Sequence, residues 1–148
     1  MTEYAALPHT TGRWPTAVGD IVALPAPYVL PAGVLLIALA DERSDPPPET
    51  ALGCGALISR EPAVAEIKRV YVRPHARRRG IGEAITRELI SWAGTLGFER
   101  VRLDTAPELL AARALYAQLG FYPIPHYRAG LLPDALCFER AVHHLTVP

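Results

Sequence analysis

Residues Glu66 to Gly82 read E-I-K-R-V-Y-V-R-P-H-A-R-R-R-G-I-G, and their types and spacing suit the holding of a polyanion. An extended run ends at Pro74, a turn carrying Arg77, Arg78 and Arg79 follows, and Gly80, Ile81 and Gly82 open a helical pattern. The first turn of a helix has N–H groups without intrahelical partners and carries the positive end of the helix dipole. Glycine lets phosphate oxygens come close to such a backbone, so the arrangement predicts a pyrophosphate cradle. Two plainer explanations are a basic turn with a helix cap and a nucleic-acid patch. The second is disfavoured, since Lys+Arg and Asp+Glu both number 15 and no aromatic residue interleaves with the arginines. Other groups able to move protons are Glu66, Asp104, Glu108, Tyr116, His75, His126, His143 and His144. Each of the histidines, taken singly, reads as a surface or packing residue.

These residues need elements to hold them. Val34 to Ala40 and Ala51 to Ile58 are apolar runs that read as strands, joined by the polar, proline-rich segment D-E-R-S-D-P-P-P-E-T. Ala65 to Val72 alternates imperfectly, with Ile67, Val70 and Val72 against Glu66, Lys68 and Arg69, as a strand with a bulge does. From Gly80 the period changes to 3.6, with Ile81, Ile85, Leu89, Trp92 and Leu96 on one stripe and Gly97 as the C′ residue. Arg100 to Thr105 is a two-faced strand; a second helix is predicted from Pro107 at N1 to Leu119, before Gly120. Phe121 to Tyr127 and Ala135 to Val142 are the last strands. Met1 to Pro31 shows no sustained period, with at most one short element near Val18 to Leu24. Strands, helix, strand, helix, strands is the pattern of a mixed α/β (α+β) chain.

At 148 residues, half of them hydrophobic, the chain fits one domain. Residues 1–30 read as a variable N-terminal segment and 31–142 as the core. Val34 to Ala40 is far too short to span a bilayer and no leader-type segment precedes it, so the expectation is a cytoplasmic protein without a membrane partner. Cys54 and Cys137 sit in apolar strands without metal or redox spacing and read as buried thiols.

Three motifs together are more specific than any one. The spacing Arg77-x-x-Gly80-x-Gly82 after V-Y-V, the L-D-T at Leu103 to Thr105, and A-x-x-L-Y-x-x-x-G-F over Ala112 to Phe121 resemble, in order and spacing, the GNAT superfamily of N-acetyltransferases. The resemblance spans about Leu30 to Val142. It implies a three-layer fold whose mixed, mostly antiparallel sheet has helices on both faces, acetyl-CoA as co-substrate, and no metal. It assigns Val70, Tyr71 and Val72 to the pantetheine arm, and Arg77, Arg78, Arg79, Gly80, Ile81 and Gly82 to the pyrophosphate. Tyr116 is implied as the acid that protonates the departing thiolate, a donor that amine attack on a thioester requires. Leu109 stands where many relatives carry a cofactor-contacting asparagine. Relatives with E-x-K-R-x-Y-V often use the glutamate, here Glu66, as the base for the incoming ammonium; equally weighted is a strand-end carboxylate paired with Lys68 or Arg69. The implied function is acetyl transfer to a primary amine of a small molecule or amino acid, in a ternary complex and without nucleic acid. A coenzyme A-binding module with little catalysis, and acetylation of a protein amine, are the alternatives. An exposed sheet edge at the C-terminal strand and an apolar N-terminal segment add the expectation of a homodimer, in which Trp14 and Tyr28 help wall the acceptor site.

Overall fold

The computed structural model describes residues 30–39 and 51–143. Expectations for the N-terminal segment, for Trp14 and Tyr28, and for the connection over 41–50 lie outside the described residues. The elements are β1 (Gly33–Leu39), β2 (Ala51–Glu61), β3 (Val64–Val72), a 3₁₀ turn (Pro74–Ala76), α1 (Ile81–Thr95), β4 (Arg100–Thr105), α2 (Leu110–Gln118), β5 (Tyr122–Ile124) and β6 (Leu136–Ala141). Six strands form one sheet in the order β1-β2-β3-β4-β6-β5, antiparallel except where β3 meets β4. This is the expected mixed, mostly antiparallel α/β class.

The connections explain where the helices lie. β3 and β4 are parallel, and β4 and β5 are each antiparallel to β6, so α1 and α2 are successive crossovers moving the same way across the sheet. Right-handed crossovers in one direction put both helices on one face. Consistent with this, a Cβ at Gly82, in the first turn of α1, would lie 4.0 Å from Leu115 of α2. Under them is the core of Leu57, Ala65, Ile67, Ile85, Leu89, Val101, Leu103, Tyr116, Leu119 and Phe121. Helix α1 buries Ile85, Leu89 and Ala93, an i, i+4, i+8 stripe. Gly55 lets it come close, because a Cβ there would sit 2.5 Å from Ile85 Cγ2. On the sheet's other face, strand alternation places Glu66, Lys68, Arg102 and Glu139. Among the described residues no helix covers that face.

Three expectations change. Helix α2 begins at Leu110, not Pro107: Leu109 N–H donates to the Ala106 carbonyl, closing a turn over 106–109 first, and no side chain caps the helix. The strand expected to run from Phe121 to Tyr127 is only Tyr122–Ile124, since Pro125 has no N–H for a ladder. Finally, the C-terminal strand β6 is no sheet edge, because it lies between β4 and β5; among the described residues the edges are β1 and β5. That removes the surface proposed for pairing two copies through it.

The irregularity in β3 is a bulge. Cys54 pairs with Tyr71 and Ala56 with Lys68, so Arg69 and Val70 together stand opposite Gly55. Arg69 has a φ of 59°, and its carbonyl accepts a hydrogen bond from the buried Cys54 thiol at 3.3 Å. Burial pushes the Cys54 thiol up to about 12, so it stays protonated and serves as packing and donor.

Candidate functional site

β3 and β4 pair only through Val64–Arg100, Ala65–Val101 and Glu66–Arg102. Beyond the third pair they separate at the bulge, leaving Ile67 to Val72 and Leu103 to Thr105 as facing walls of a cleft of about 860 Å³. Parted strand edges offer main-chain N–H and C=O groups along the gap, so they can bind an extended, amide-bearing chain by adding to the sheet. The cleft also reaches Arg77, Arg78, Gly80, Ile81 and Gly82 at one end, Leu109, Leu115 and Tyr116 along one wall, and Leu132, Asp134 and Ala135 at another. Because Ile67 and Leu103 face the helices while Lys68 and Asp104 face the opposite way, the cleft passes through the sheet.

The turn at its end is shaped by backbone handedness. Arg78 has a φ of 66° and Gly80, the N-cap of α1, a φ of 77°, so two left-handed residues alternate before the helix. Such alternation forms a concave run of N–H groups. Ala84 N–H to the Gly80 carbonyl is the first bond of α1, which leaves the N–H groups of Ile81, Gly82 and Glu83 in the unbonded first turn. A Cβ at Gly82 would meet Val72 and Leu115 only at 3.7 and 4.0 Å, so nothing in the protein itself demands glycine there. The space it leaves opens on the cleft. All three arginines are exposed, but Arg77 folds back, donating from Nε to the Val72 carbonyl at 2.9 Å and lying over the Tyr71 ring at 5.7 Å.

Tyr116 is buried on α2 and lines the cleft, its ring edge-to-face with Phe121 at 5.7 Å. Leu109, Leu110 and Leu132 add an apolar rim, the last two well exposed. Thus the expected Tyr116, Val70, Tyr71, Val72, Arg77, Arg78, Gly80, Ile81 and Gly82 come together around one cavity, while Arg79 is not among its lining residues.

Glu66 behaves differently. It is 0% exposed, faces away from the helices, and is not among the residues lining the cleft. Arg60 approaches it through Nε at 3.0 Å and Nη2 at 3.3 Å, and Arg128 through Nε at 2.9 Å and Nη2 at 3.3 Å. Lys68 Nζ stands 3.1 Å from Oε1. Burial alone would raise the carboxyl's pKa; hydrogen bonds from Arg128 and Arg60 and the charge of Lys68 outweigh it and bring the group to about 2. A carboxylate so held is a weak proton acceptor with both oxygens engaged, so the ion-pair role is favoured over that of base. Neither arginine was legible beforehand: Arg128 is 62 residues away in sequence, and Arg60 reaches across the β2–β3 hairpin. Tyr127 stands beside this cluster, its ring 6.0 Å from the Arg128 guanidinium and 5.5 Å from that of Arg102, with its buried hydroxyl lacking a partner.

Among the described residues no group of three His, Cys, Asp or Glu side chains could hold a metal ion, and no helix is long and apolar enough to cross a membrane. His126, which follows the tyrosine helix by one strand, bonds through Nε2 to the Ala135 carbonyl at 2.8 Å.

Residues 8–121 match the acetyltransferase (GNAT) family. The chain is 36% identical over 110 residues to an uncharacterized N-acetyltransferase of Schizosaccharomyces pombe, covering 74% of this chain and 64% of that one. It spans less than two thirds of the length of the curated relatives it matches. Among solved structures it resembles a Klebsiella pneumoniae protein assigned to the acyl-CoA N-acyltransferases, with TM-score 0.67, 26% identity, and 84% and 83% of the two chains covered. A Bacillus subtilis acetyltransferase in complex with CoA has the same fold, with TM-score 0.62, 18% identity and 85% of each chain covered.

Proposed function

Because the chain belongs to the GNAT acetyltransferase family, we propose that it moves an acetyl group from acetyl-CoA to the primary amine of a small molecule, by direct attack within a ternary complex. The observation that carries this reading is the parting of β3 and β4 beside the α1 N-terminus, which joins a phosphate-suited turn, an open strand edge and a buried tyrosine in one cleft. In this reading the N–H groups of the turn and of Gly80, Ile81 and Gly82 take the pyrophosphate, with Arg78 and Arg79 supplying charge from the surface. Arg77 acts by bracing the end of β3. The pantetheine amides pair with Val70, Tyr71 and Val72, and backbone N–H groups at the bulge polarise the thioester carbonyl. The apolar Leu109 wall contributes contact area in place of a polar side chain.

Acetyl-CoA enters from the helix side and the amine from the charged face, so the two meet where Tyr116 borders the cleft. Attack forms the C–N bond and breaks the C–S bond, the Tyr116 hydroxyl delivers a proton to the departing thiolate, and the proton shed by the acylated nitrogen passes through solvent to restore the phenol. Glu66 is assigned no proton: it fixes Arg60, Lys68 and Arg128. The amine reacts as its neutral fraction, its proton having passed to water, so the rate climbs with pH toward the amine's own pKa near ten.

The test is thermal unfolding with and without acetyl-CoA, followed by thiol release in the presence of primary amines. Acetyl-CoA is expected to stabilise the fold, and Gly82→Asp to abolish that gain by putting a carboxylate against the phosphates. A variant that gains as much from acetyl-CoA as the parent overturns the placement of the pyrophosphate. Stabilisation without thiol release from any amine would reduce the protein to a coenzyme-binding module.

A further inference from the structure

The cluster around Glu66 holds one cation more than that carboxylate needs. Its two oxygens are already bracketed by both guanidinium groups, each contributing two N–H donors, before Lys68 is counted. Lys68 is therefore a third positive charge on a single carboxylate, its side chain is only 19% exposed, and it is the member of the trio that lines the cleft. Burial pulls its pKa below the usual lysine value, only partly offset by Glu66, and the charges of Arg128 and Arg60 pull the same way. Asp104 borders the same cavity and lies in the field of Arg128, and counting it still leaves the cations ahead by one. Under-compensated, half-buried ammonium groups of this kind are stabilised by an incoming anion.

The opposite sign is also present at the cleft, in Asp104 and in the exposed Glu108 and Asp134. An acceptor with one anionic group and one amine would meet both signs. Resting on the acetyl-transfer reading above, we infer that Lys68, held in place by Glu66, Arg60 and Arg128, receives the anionic group of the acceptor, and that the acceptor is a small amine bearing its own carboxylate. Lys68 is the contact; Arg60 and Arg128 are positioning residues, since they engage Glu66 and so leave the ammonium available to a ligand.

The experiment compares acceptors in matched sets with the unaltered protein and saturating acetyl-CoA: an amino acid, its carboxamide, and the amine lacking the carboxyl group. The values of kcat/KM are referred to the neutral fraction of each amine. The carboxylate-bearing member is expected to lead by about tenfold or more, mainly through KM, the scale of one desolvated charge pair. Lys68→Met is expected to collapse that lead toward unity, and Lys68→Arg to restore part of it. Equal values across each set, or a lead for the uncharged amines, overturn the inference while the acetyl-transfer reading stands. Thiol release from no member of any set, despite binding of acetyl-CoA, overturns that reading and the inference with it. The first comparison uses no variant, so its outcome does not depend on whether Lys68 substitutions fold.

Discussion

Glu66 and Glu139 are two buried carboxylates on the same face of the same sheet, 0% and 4% exposed, and each is met by two arginines. They differ in what completes the set. Glu139 accepts from Arg100 at 2.9 Å, from Arg102 at 2.7 Å and from the neutral Tyr122 hydroxyl at 2.7 Å, and Arg102 also reaches Glu61 at 3.3 Å. Two arginines therefore face two glutamates, and the strands β4 and β6 that carry Arg100, Arg102 and Glu139 pair along their full length. Around Glu66 three cations share one carboxylate, at the point where β3 and β4 stop pairing. Balanced charge closes the sheet; surplus charge stands where the sheet opens. The comparison teaches that burial and hydrogen bonding alone do not mark a functional carboxylate, whereas the mismatch in its partners and their access to the cleft do.

The sharpest way to break the comparison is to neutralise each carboxylate in turn. Glu66→Gln leaves three half-buried cations around an uncharged amide and is expected to lower the unfolding free energy in urea by about 3–5 kcal/mol, the usual cost of stranding one side of a buried ion pair. Glu139→Gln strands Arg100, which is more than half exposed, while the more buried Arg102 keeps Glu61, so the substitution is expected to cost less than half of that. Equal losses would show the two clusters to be equivalent.

The same contrast extends to pH. Glu66 titrates near 4.5 when unfolded and at about 2 in the folded protein, so the folded state favours its charged form. A carboxylate with a depressed folded pKa contributes stability that is fully present above 4.5 and is lost as pH falls toward 2. The shift corresponds to roughly 3 kcal/mol, which should appear as acid destabilisation between pH 5 and 2 in the parent and be largely missing from Glu66→Gln. Parallel curves for parent and variant would remove the ion-pair account of Glu66. The rate of acetyl transfer, by contrast, should follow the amine and not this group.

Much of the frame was legible because local period and local chemistry agree. The i, i+4 stripe of α1 and the alternation of β4 show on inspection, and the motif around Gly80 locates the turn before any fold is known. What was not legible depends on long-range register. Glu66 and Arg128 are joined only because the loop after β5 returns beside β3, so one sequence could be read as base or ion pair with equal reason. The overlong second helix and fifth strand have a different cause. Pro107 suits a helix start, but the Ala106–Leu109 turn precedes α2, and that turn gives the cleft part of its lining. The lost residues of the last hairpin follow from proline's missing N–H, a signal present at Pro125 and overridden by the apolar pattern around it.

A third prediction uses the tyrosines that belong to the two sides of the comparison. Tyr116 borders the cleft, and Tyr116→Phe should lower kcat by about tenfold or more, on the order of 1.4 kcal/mol of barrier, with the KM for acetyl-CoA little changed. Unchanged turnover would take Tyr116 out of the mechanism. A loss confined to the KM for acetyl-CoA would make it a packing residue of the donor site.

Tyr122 is the counterpart, and its expected effect is the smallest. Its hydroxyl donates to Glu139 Oε1 at 2.7 Å, and that hydrogen bond raises the pKa of the tyrosine while helping to lower that of the carboxyl. Oε1 keeps Arg100 at 2.9 Å and Oε2 keeps Arg102 when the hydroxyl is removed, so no buried charge is stranded. Tyr122→Phe should therefore lower stability in urea unfolding only slightly, less than either carboxylate substitution, and leave acetyl transfer within twofold of the parent. Its effect on stability should shrink as pH falls through the range where Glu139 takes up its proton, because a carboxyl group no longer needs the donor. If Tyr122→Phe instead lowered turnover as much as Tyr116→Phe, the balanced cluster would be coupled to the cleft, and the division of this sheet face into a closed half and an open half would fail.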